Sequence, residues 1–367
     1  MVDLKTQYLK IENEVDKAIK NVISGCSFIN GPEVKEFGNS FQSYLNVGNV
    51  IACGNGTDAL QIALMSLDLE PGDEIITSTF TFISTAEVIS LLKLKPVFVD
   101  VCSKNFNILP DKIEKAITSK TKVIIPVHLY GQCAPMEEIM SIAKKYSLFV
   151  IEDTAQAVGA NYFFRDGSIK KAGTIGTIGT TSFFPSKNLG CYGDGGAIMT
   201  NDNHLANKIK MICNHGSKQK YNHEIIGVNS RLDSIQAAIL NIKLKKLNDY
   251  TLARYKSAKI YNSILSDIEF IEIPHEEKYS DHVYHQYTIK VGHNQRDKLK
   301  NHLSTLNIPT AIYYPMALHK QKAFCDFNMG DFSNSDKLET KVLSLPMHTE
   351  LTSSSILFIA NSIRKFT

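Results

Sequence analysis

The chain has 367 residues, of which 43% are hydrophobic and 21% charged, a balance typical of a soluble globular protein large enough for two domains. A formal charge of only +3 argues against nucleic acid as a partner, and no apolar run approaches the roughly 20 residues that a membrane helix needs. The N-terminus lacks the apolar core of a signal peptide and the seven cysteines form no C-x-x-C pair, so we expect a cytoplasmic protein without a metal site.

Short apolar runs alternate with helical periodicity through the first part of the chain. After a helical region up to about Gly48, interrupted by a turn at 30–32, we predict strands at 49–53, 74–77, 96–100, 123–126 and 148–152. Helices are predicted between them, at 59–67, 84–92 and 136–146 among others. Short strands that alternate with helices predict an α/β fold with a mainly parallel sheet covered on both faces.

The pattern changes after about Arg231. Residues 233–247 predict one long amphipathic helix, with Lys243, Lys245 and Lys246 on a solvated face. A second set of elements follows at 284–291, 295–306 and 353–365. We therefore predict a large domain over residues 1–244, including the N-terminal helical segment, and a smaller C-terminal α/β domain over residues 245–367.

The run Gly54-Asn55-Gly56-Thr57-Asp58 joins a predicted strand to a predicted helix. Its glycines let backbone N–H groups approach an anion, the helix N-terminus favours negative charge, and Thr57 adds a hydroxyl, so the run indicates a phosphate site. An ordinary N-cap on a tight turn explains the same residues equally well. The run is neither a G-x-G-x-x-G nor a Walker loop, so it gives little support to a dinucleotide or ATP site.

Lys187 stands between the apolar pair Phe183-Phe184 and a glycine-dense turn at 190–196. An isolated lysine is nearly always exposed to solvent. An enclosed turn instead favours a desolvated amine of lowered pKa, the kind that forms an imine with a carbonyl and transfers protons. This environment makes Lys187 the candidate lysine for binding pyridoxal phosphate (PLP).

Asp153 follows an apolar strand and should therefore lie at the carboxyl end of a parallel sheet, where ligands gather. A carboxylate there can keep the pyridine nitrogen of PLP protonated, which makes the ring a better electron sink. Gln156, three residues later, can donate to the ring hydroxyl. The alternative is that Asp153 caps a helix and Gln156 is its capping-box partner.

Six motifs then occur in one order: GNGTDAL at 54–60, TFTFIST at 79–85, PVHLYGQ at 126–132, IEDTAQ at 151–156, SFFPSK at 182–187 and GVNSRLD at 227–233. This order resembles the DegT-type PLP-dependent nucleotide-sugar aminotransferases, which have fold type I, the aspartate aminotransferase-like fold. The resemblance covers essentially the whole chain. Residues 28–34, 129–134 and 187–196 are most similar to the UDP-2-acetamido-2-deoxy-3-oxo-D-glucuronate aminotransferase group of that family.

The resemblance implies a set of cofactor-binding residues, each at a motif position: Gly56, Thr57, Phe82, Asp153, Gln156, Ser182, Lys187 and Asn229. Lys187 would bind PLP covalently and act as the catalytic base, Phe82 would stack on the ring, and Gly56, Thr57 and Ser182 would hold the phosphate. Asn229 would reach the phosphate from the second subunit, which requires a homodimer with active sites at the interface.

The implied substrate-binding residues are Asn30, Arg231, Tyr313 and Tyr314. Arg231 is a candidate for binding a carboxylate, either that of a uronic acid or that of the amino donor, because its guanidinium suits a bidentate contact. A structural arginine is an equally good explanation of the sequence alone. Relatives often carry His where Tyr313 stands, so the identity of the sugar stays open.

The activity implied is a two-step amino transfer. L-Glutamate would convert PLP to pyridoxamine phosphate (PMP) and leave as 2-oxoglutarate. PMP would then aminate C3 of a UDP-linked keto sugar for surface-polysaccharide synthesis, in O-antigen or capsule. Alternatives are another keto sugar, such as a dTDP- or UDP-linked 3- or 4-keto-6-deoxyhexose, and a non-enzymatic PLP-fold regulator. Sugar dehydratases of the family carry histidine in place of the lysine, so Lys187 counts against dehydration. The phosphate run is neither a G-x-G-x-x-G nor a Walker loop, which counts against a nucleotide-binding protein without PLP.

Overall fold

The computed structural model of the chain describes residues 1–327 and 330–366. Its α-helices are α1 (Leu4–Leu9), α2 (Glu12–Gly25), α3 (Pro32–Leu45), α4 (Gly56–Met65), α5 (Ser84–Leu91), α6 (Pro110–Ala116), α7 (Met136–Tyr146), α8 (Asn203–Cys213), α9 (Ser234–Leu244), α10 (Leu247–Leu265), α11 (Arg296–Thr305), α12 (Ser333–Lys341) and α13 (Ser353–Arg364). Its strands are β1 (Asn49–Cys53), β2 (Glu74–Ser78), β3 (Lys95–Val99), β4 (Thr121–Ile125), β5 (Phe149–Asp153), β6 (Asn161–Phe163), β7 (Ile169–Lys171), β8 (Ile178–Ser182), β9 (Gly196–Thr200), β10 (Ser217–Gln219), β11 (Asn222–His223), β12 (Ile271–Glu272), β13 (Tyr287–Val291) and β14 (Val342–Leu345).

A seven-stranded sheet forms the centre of the molecule, in the order β1-β9-β8-β5-β4-β2-β3. Strand β9 runs antiparallel to both of its neighbours, and the other pairs are parallel. The five strands predicted between residues 49 and 152 are all present, within two residues of their expected bounds. The α/β class and the mainly parallel sheet are therefore confirmed.

Apolar side chains fill the space on both faces of this sheet. Successive residues of a strand point to opposite faces, and neighbours in β4 and β5 accordingly divide between two cores. Ile125 and Ile151 belong to one core, whereas Ile124 and Val150 belong to the other. Burial on both faces explains why these strands are continuous apolar runs in the sequence rather than alternating ones.

Helix α4 begins three residues before its predicted start at Ala59, because Asn55 caps it. The Asn55 side chain is the N-cap and its Oδ1 accepts a hydrogen bond of 2.8 Å from the backbone N–H of Asp58. The N-cap explanation of the Gly54–Asp58 run is thus correct, and it does not exclude an anion at the same helix end.

The C-terminal part of the chain builds a second, smaller sheet. Strands β12, β13 and β14 are antiparallel, and a separate apolar core made by residues between Ala258 and Ile363 packs on them. Helix α9 ends at Leu244 and α10 begins at Leu247, so the predicted helix over 233–247 is shorter than expected. The domain boundary between residues 244 and 245 stays a prediction.

Lys243 contradicts the prediction of a solvated face on α9. Its side chain is buried, and its ammonium group lies 5.1 Å from the centroid of the Tyr192 ring. Burial lowers the pKa of Lys243 to about 8. The reason is that α2 and α3 both pack on α9, whose residues 237–244 are all buried, and the periodicity of one helix cannot reveal such packing. Lys245, two residues later, is exposed as predicted.

None of the helices in the described ranges combines the length and the apolar character that crossing a membrane requires.

A buried carboxylate holds the loops that surround the end of β5. Glu152 is fully buried and accepts from the backbone N–H groups of Gly173, Ile175 and Gly176 at 2.7–3.0 Å. Its Oε2 also lies 2.9 Å from Nε2 of His128. Nδ1 of His128 accepts from the backbone N–H of Ala134 at 2.9 Å, so the imidazole proton is on Nε2 and is donated to Glu152.

Replacing Glu152 should therefore destabilise the whole fold. We expect Glu152→Ala to lower the free energy of unfolding by about 3–5 kcal/mol, because four buried donors lose their acceptor. Urea denaturation followed by circular dichroism measures the change. The control is Glu114→Ala, which removes an exposed ion pair with Lys145 and should leave the unfolding midpoint unchanged. Equal midpoints for the two variants would contradict the structural role of Glu152.

Candidate active site

A cavity of about 580 Å³ lies at the carboxyl ends of β5 and β8, where a parallel sheet presents its ligand-binding edge. It contains all the predicted cofactor-binding residues except Asn229: Gly56, Thr57, Phe82, Asp153, Gln156, Ser182 and Lys187. Two of the four predicted substrate-binding residues, Tyr313 and Tyr314, line it as well. The structure thus brings together residues that are up to 258 positions apart (314 − 56).

Lys187 projects into the cavity from a tight turn after β8. The turn is closed by a hydrogen bond of 2.8 Å from the backbone N–H of Lys187 to the carbonyl of Phe184. A Cβ on Gly190 would lie 2.4 Å from the carbonyl oxygen of Pro185, so the turn needs glycine there. Burial lowers the pKa of the Lys187 amine to about 8, and the charge of Asp153 opposes that shift.

Asp153 is the last residue of β5, and its carboxylate is held from two sides. Thr85 donates its hydroxyl to Oδ2 at 2.9 Å, and the backbone N–H of Ala155 donates to Oδ1 at 3.1 Å. The residues after Asp153 form turns rather than an α-helix, so the helix-cap alternative for Asp153 is wrong. The carboxylate is buried beside an amine and faces the cavity, which suits binding of a cationic ring nitrogen.

Gln156 is oriented by a backbone group that the sequence did not indicate. Its Oε1 accepts from the backbone N–H of Tyr130 at 2.8 Å, so its Nε2 must be the end that points away. That Nε2 donates to the hydroxyl of Tyr314 at 3.2 Å. Gln156 therefore presents a donor on the cavity side, as its predicted contact with a ring hydroxyl requires. The capping-box alternative is wrong, because the residues after Asp153 do not begin an α-helix.

The predicted phosphate residues meet at the N-terminus of α4. A Cβ on Gly56 would lie 2.6 Å from Cβ of Ser182, so only glycine allows the backbone of α4 to approach β8 this closely. Oγ1 of Thr57 lies 2.9 Å from Oγ of Ser84. Backbone N–H groups in the first turn of a helix lack helical partners, and together with these hydroxyls they form a site for an anion.

Phe82 and Thr81 form part of the cavity wall in an unusual way. The Phe82 side chain is 55% exposed although it is apolar, and its ring centroid lies 6.4 Å from that of Tyr314. The Thr81 hydroxyl is buried without a hydrogen-bond partner among the described residues. An open aromatic face and an unsatisfied hydroxyl on one wall fit a planar polar ring, and with the amine, the carboxylate and the anion site they match the parts of PLP.

The three remaining predicted residues lie outside this cavity. Asn229 and Asn30 are exposed, and Arg231 is half-buried. The backbone bridge between Ile29 and Asp233 places the Asn30 and Arg231 segments side by side. The sequence-predicted residues therefore fall into two groups, one around the cavity and one on a surface strip formed by Asn30, Asn229 and Arg231.

Several residues of the site were missed from the sequence: Thr85, Tyr130, Ser186, Asp194 and Gln286. Thr85 and Tyr130 stand inside the motifs at 79–85 and 126–132, so the motifs held a signal, but the contacts of these residues with Asp153 and Gln156 depend on the fold. Gln286 belongs to the C-terminal part of the chain, and nothing local in its sequence marks it.

Known proteins resemble this chain over its full length. Residues 9–364 match the model of the DegT/DnrJ/EryC1/StrS aminotransferase family. A "pleiotropic regulatory protein" of Geobacillus stearothermophilus is 44% identical over 370 residues, which cover 100% of this chain and 98% of that protein. The UDP-2-acetamido-2-deoxy-3-oxo-D-glucuronate aminotransferase of Pseudomonas aeruginosa is 44% identical over 362 residues, which cover 99% of this chain and 98% of that enzyme.

Solved structures agree with these sequence matches. A DegT/DnrJ/EryC1/StrS aminotransferase from Brucella abortus superposes with a TM-score of 0.95 at 40% identity, covering 100% of this chain and 98% of its own. NtdA of Bacillus subtilis, solved with bound PMP, gives a TM-score of 0.88 at 32% identity and covers 97% of this chain and 82% of its own. The predicted fold is confirmed, and a form of the predicted cofactor is bound in a structural relative.

The lowered pKa of Lys187 gives a test of its predicted bond to PLP. Imine formation needs the neutral amine, which dominates above the pKa, so the capture rate should rise with pH and be half-maximal near pH 8. Asp153→Asn removes the charge that raises this pKa, so its midpoint should lie at lower pH. The rate is measured by borohydride trapping and mass spectrometry of the Lys187 peptide, with N-acetyl-lysine amide (pKa about 10.4) as reference. A midpoint equal to the reference would contradict a desolvated amine.

The close approach at Gly56 gives a second test of the site. Gly56→Ala should push α4 away from Ser182 and weaken PLP binding by about tenfold or more, equivalent to a loss of about 1.4 kcal/mol. Titration of the apoenzyme with PLP, read by cofactor absorbance, measures the effect. Gly25→Ala is the matched control, because a Cβ there meets nothing within 4 Å. Unchanged affinity in a folded Gly56→Ala variant would remove Gly56 from the phosphate site.

Proposed function

Because the chain belongs to the DegT/DnrJ/EryC1/StrS aminotransferase family, we propose that it transfers the amino group of L-glutamate to C3 of a 3-keto nucleotide sugar. The favoured substrate is UDP-2-acetamido-2-deoxy-3-oxo-D-glucuronate. Family membership confirms the predicted enzyme class, a PLP-dependent nucleotide-sugar aminotransferase. The amino donor, the sugar and the place of the product in surface-polysaccharide synthesis belong to the proposal.

One observation carries the proposed chemistry: the desolvated amine of Lys187 and the carboxylate of Asp153 face the same cavity. When bound, PLP supplies an electron sink that stabilises negative charge at the Cα of an amino acid. Asp153 holds the proton on the ring nitrogen, and Gln156 donates to the ring hydroxyl. Lys187, neutral above about pH 8, moves the proton between Cα of the amino acid and C4′ of the cofactor.

The 44% identity to the Pseudomonas aeruginosa enzyme over 99% of this chain supports a carboxylated keto sugar. Arg231 is the residue that we assign to the sugar carboxylate, because a guanidinium binds a carboxylate through two parallel hydrogen bonds. A dTDP- or UDP-linked 3- or 4-keto-6-deoxyhexose is the second candidate. Of the two candidates, only the uronate carries a carboxylate at C6.

The surface strip supports a homodimer with shared active sites. Asn30, Asn229 and Arg231 lie outside the cavity of their own chain, and we propose that they enter the cavity of the partner. Phe28 and Ile29 beside this strip are 45% and 47% exposed, and Phe184 near Lys187 is 52% exposed. Apolar side chains at such positions favour contact with a second subunit. The seven free thiols suit the reducing cytoplasm, in which we place the enzyme.

A regulator without turnover is the second class of function, and the name of the Geobacillus stearothermophilus relative raises it. Asp153 argues for turnover, because a carboxylate at the ring nitrogen strengthens the electron sink, which a protein that only binds PLP does not need. The two functions differ in whether L-glutamate is consumed.

A panel of keto sugar nucleotides tests the proposal. The PMP form should react with the 3-keto uronate and regenerate the PLP spectrum, and L-glutamate should then yield one 2-oxoglutarate per turnover. Lys187→Ala should lower this rate at least about 10²–10⁴-fold, the range of general acid–base catalysis. Arg231→Ala should weaken use of the uronate but leave a 3-keto sugar with a C6 hydroxyl unaffected.

Two results would contradict the assignment at different levels. If Arg231→Ala changes the rates on both sugars by the same factor relative to the wild type, the carboxylate contact is wrong, and the main argument for a uronate is lost with it. PLP binding without 2-oxoglutarate release, for every sugar in the panel, would favour the regulator.

A further inference from the structure

Ser230 joins the surface strip to the phosphate site of its own chain. Its side chain is only 2% exposed, although Asn229 beside it is exposed. The Ser230 hydroxyl donates to Oδ2 of Asp58 at 2.6 Å and accepts from the backbone N–H of Gly54 at 2.9 Å. One hydroxyl therefore makes two hydrogen bonds to the start of α4.

These two contacts enclose the anion site. Gly56 and Thr57 lie between Gly54 and Asp58 along the chain, so the bonds of Ser230 bracket the predicted phosphate residues. A Cβ on Gly54 would lie 2.9 Å from Oδ2 of Asp58 and 3.2 Å from Oγ of Ser230, which shows how closely the three groups approach. A shift of the first turn of α4 must therefore move Ser230 or break its hydrogen bonds.

The segment around Ser230 is fixed on its other side by the end of α8. The backbone N–H of Val228 donates to the carbonyl of Ile212 at 2.8 Å, and that of Ser230 donates to Cys213 at 3.0 Å. Asn229 also forms a backbone bridge with Asn214. Ser230 is thus the point at which this hydrogen-bonded segment contacts α4, and Asn229 and Arg231 flank that point.

We infer that Ser230 is a positioning residue that couples the two active sites of the homodimer. The inference rests on the proposed function, in which Asn229 and Arg231 enter the partner's cavity. A phosphate group bound at Gly56 and Thr57 orders the first turn of α4. Through Asp58 and Ser230 this order extends to the Asn229 side chain, which binds the phosphate in the partner's cavity. Occupancy of one site should favour occupancy of the other, and such a coupling is reciprocal.

Mixed dimers distinguish a coupling of the two active sites from an effect of Ser230 on the phosphate site of its own chain. One chain carries Lys187→Ala, so only the other chain has a cavity that binds PLP covalently. Ser230→Ala is placed either in the Lys187→Ala chain, which supplies Asn229 to the live cavity, or in the live chain. We expect the dissociation constant of PLP at the live cavity to rise about fivefold or more in the first arrangement, whereas an effect of Ser230 on its own chain alone predicts a rise only in the second. The readout is the visible absorbance of cofactor attached to Lys187.

Two further variants keep the test independent of folding defects. Asp58→Ala in the Lys187→Ala chain should reproduce the effect of Ser230→Ala, and the two together should cost no more than one alone. Ser66→Ala is the matched control, because Ser66 is a buried serine at the other end of α4, and its hydroxyl donates to the carbonyl of Ala63. It should change nothing in either arrangement.

Hydrogen exchange gives a readout that needs no turnover. In the Lys187→Ala homodimer, which binds PLP through its phosphate, we expect added PLP to slow exchange in residues 227–233. Ser230→Ala should abolish that response. An unchanged dissociation constant in the first arrangement, whatever the second shows, would overturn the coupling. A monomer with full glutamate turnover would instead contradict the proposed dimer, so the two failures are distinguishable.

Discussion

The end of β5 is the point on which the rest of the structure depends, because it places two adjacent carboxylates on opposite sides of a buried sheet. Glu152 points into the protein and is saturated by three backbone N–H groups and His128. Asp153 points to the cavity and is held by Thr85 and Ala155. The alternation of side chains along a strand makes one carboxylate structural and leaves the next for chemistry.

The Glu152 network reaches most parts of the cavity. His128 begins the loop that carries Tyr130, and the backbone N–H of Tyr130 sets the orientation of Gln156. The turn at residues 173–176 leads into β8, whose end bears Ser182 and the turn of Lys187. The reactive groups are thus held on rigid elements, and their supporting hydrogen bonds lie in a dry interior where an unsatisfied donor is costly.

The electrostatics of the site follow from the same geometry. Burial disfavours the charged form of Lys187, and the nearby carboxylate of Asp153 limits the shift, so the pKa settles at about 8. Such an amine is neutral often enough to react and basic enough to accept a proton. The residues on the surface strip are absent from this cavity in a single chain, which makes the second subunit part of the proposed chemistry.

The sequence by itself determined the α/β class and the strands between residues 49 and 152, and it singled out Lys187, Asp153 and the turn with Gly56 and Thr57 as candidates, which the structure brings to one cavity. All of these depend on local patterns: periodicity, a charged residue after an apolar run, and glycines in a tight turn. Tertiary structure alone decided that Lys243 is buried, that Tyr130 orients Gln156 and that Ser230 contacts Asp58 across 172 residues. Contacts between distant segments depend on which surfaces pack together, and one segment's periodicity records that it has an apolar face but not what covers it.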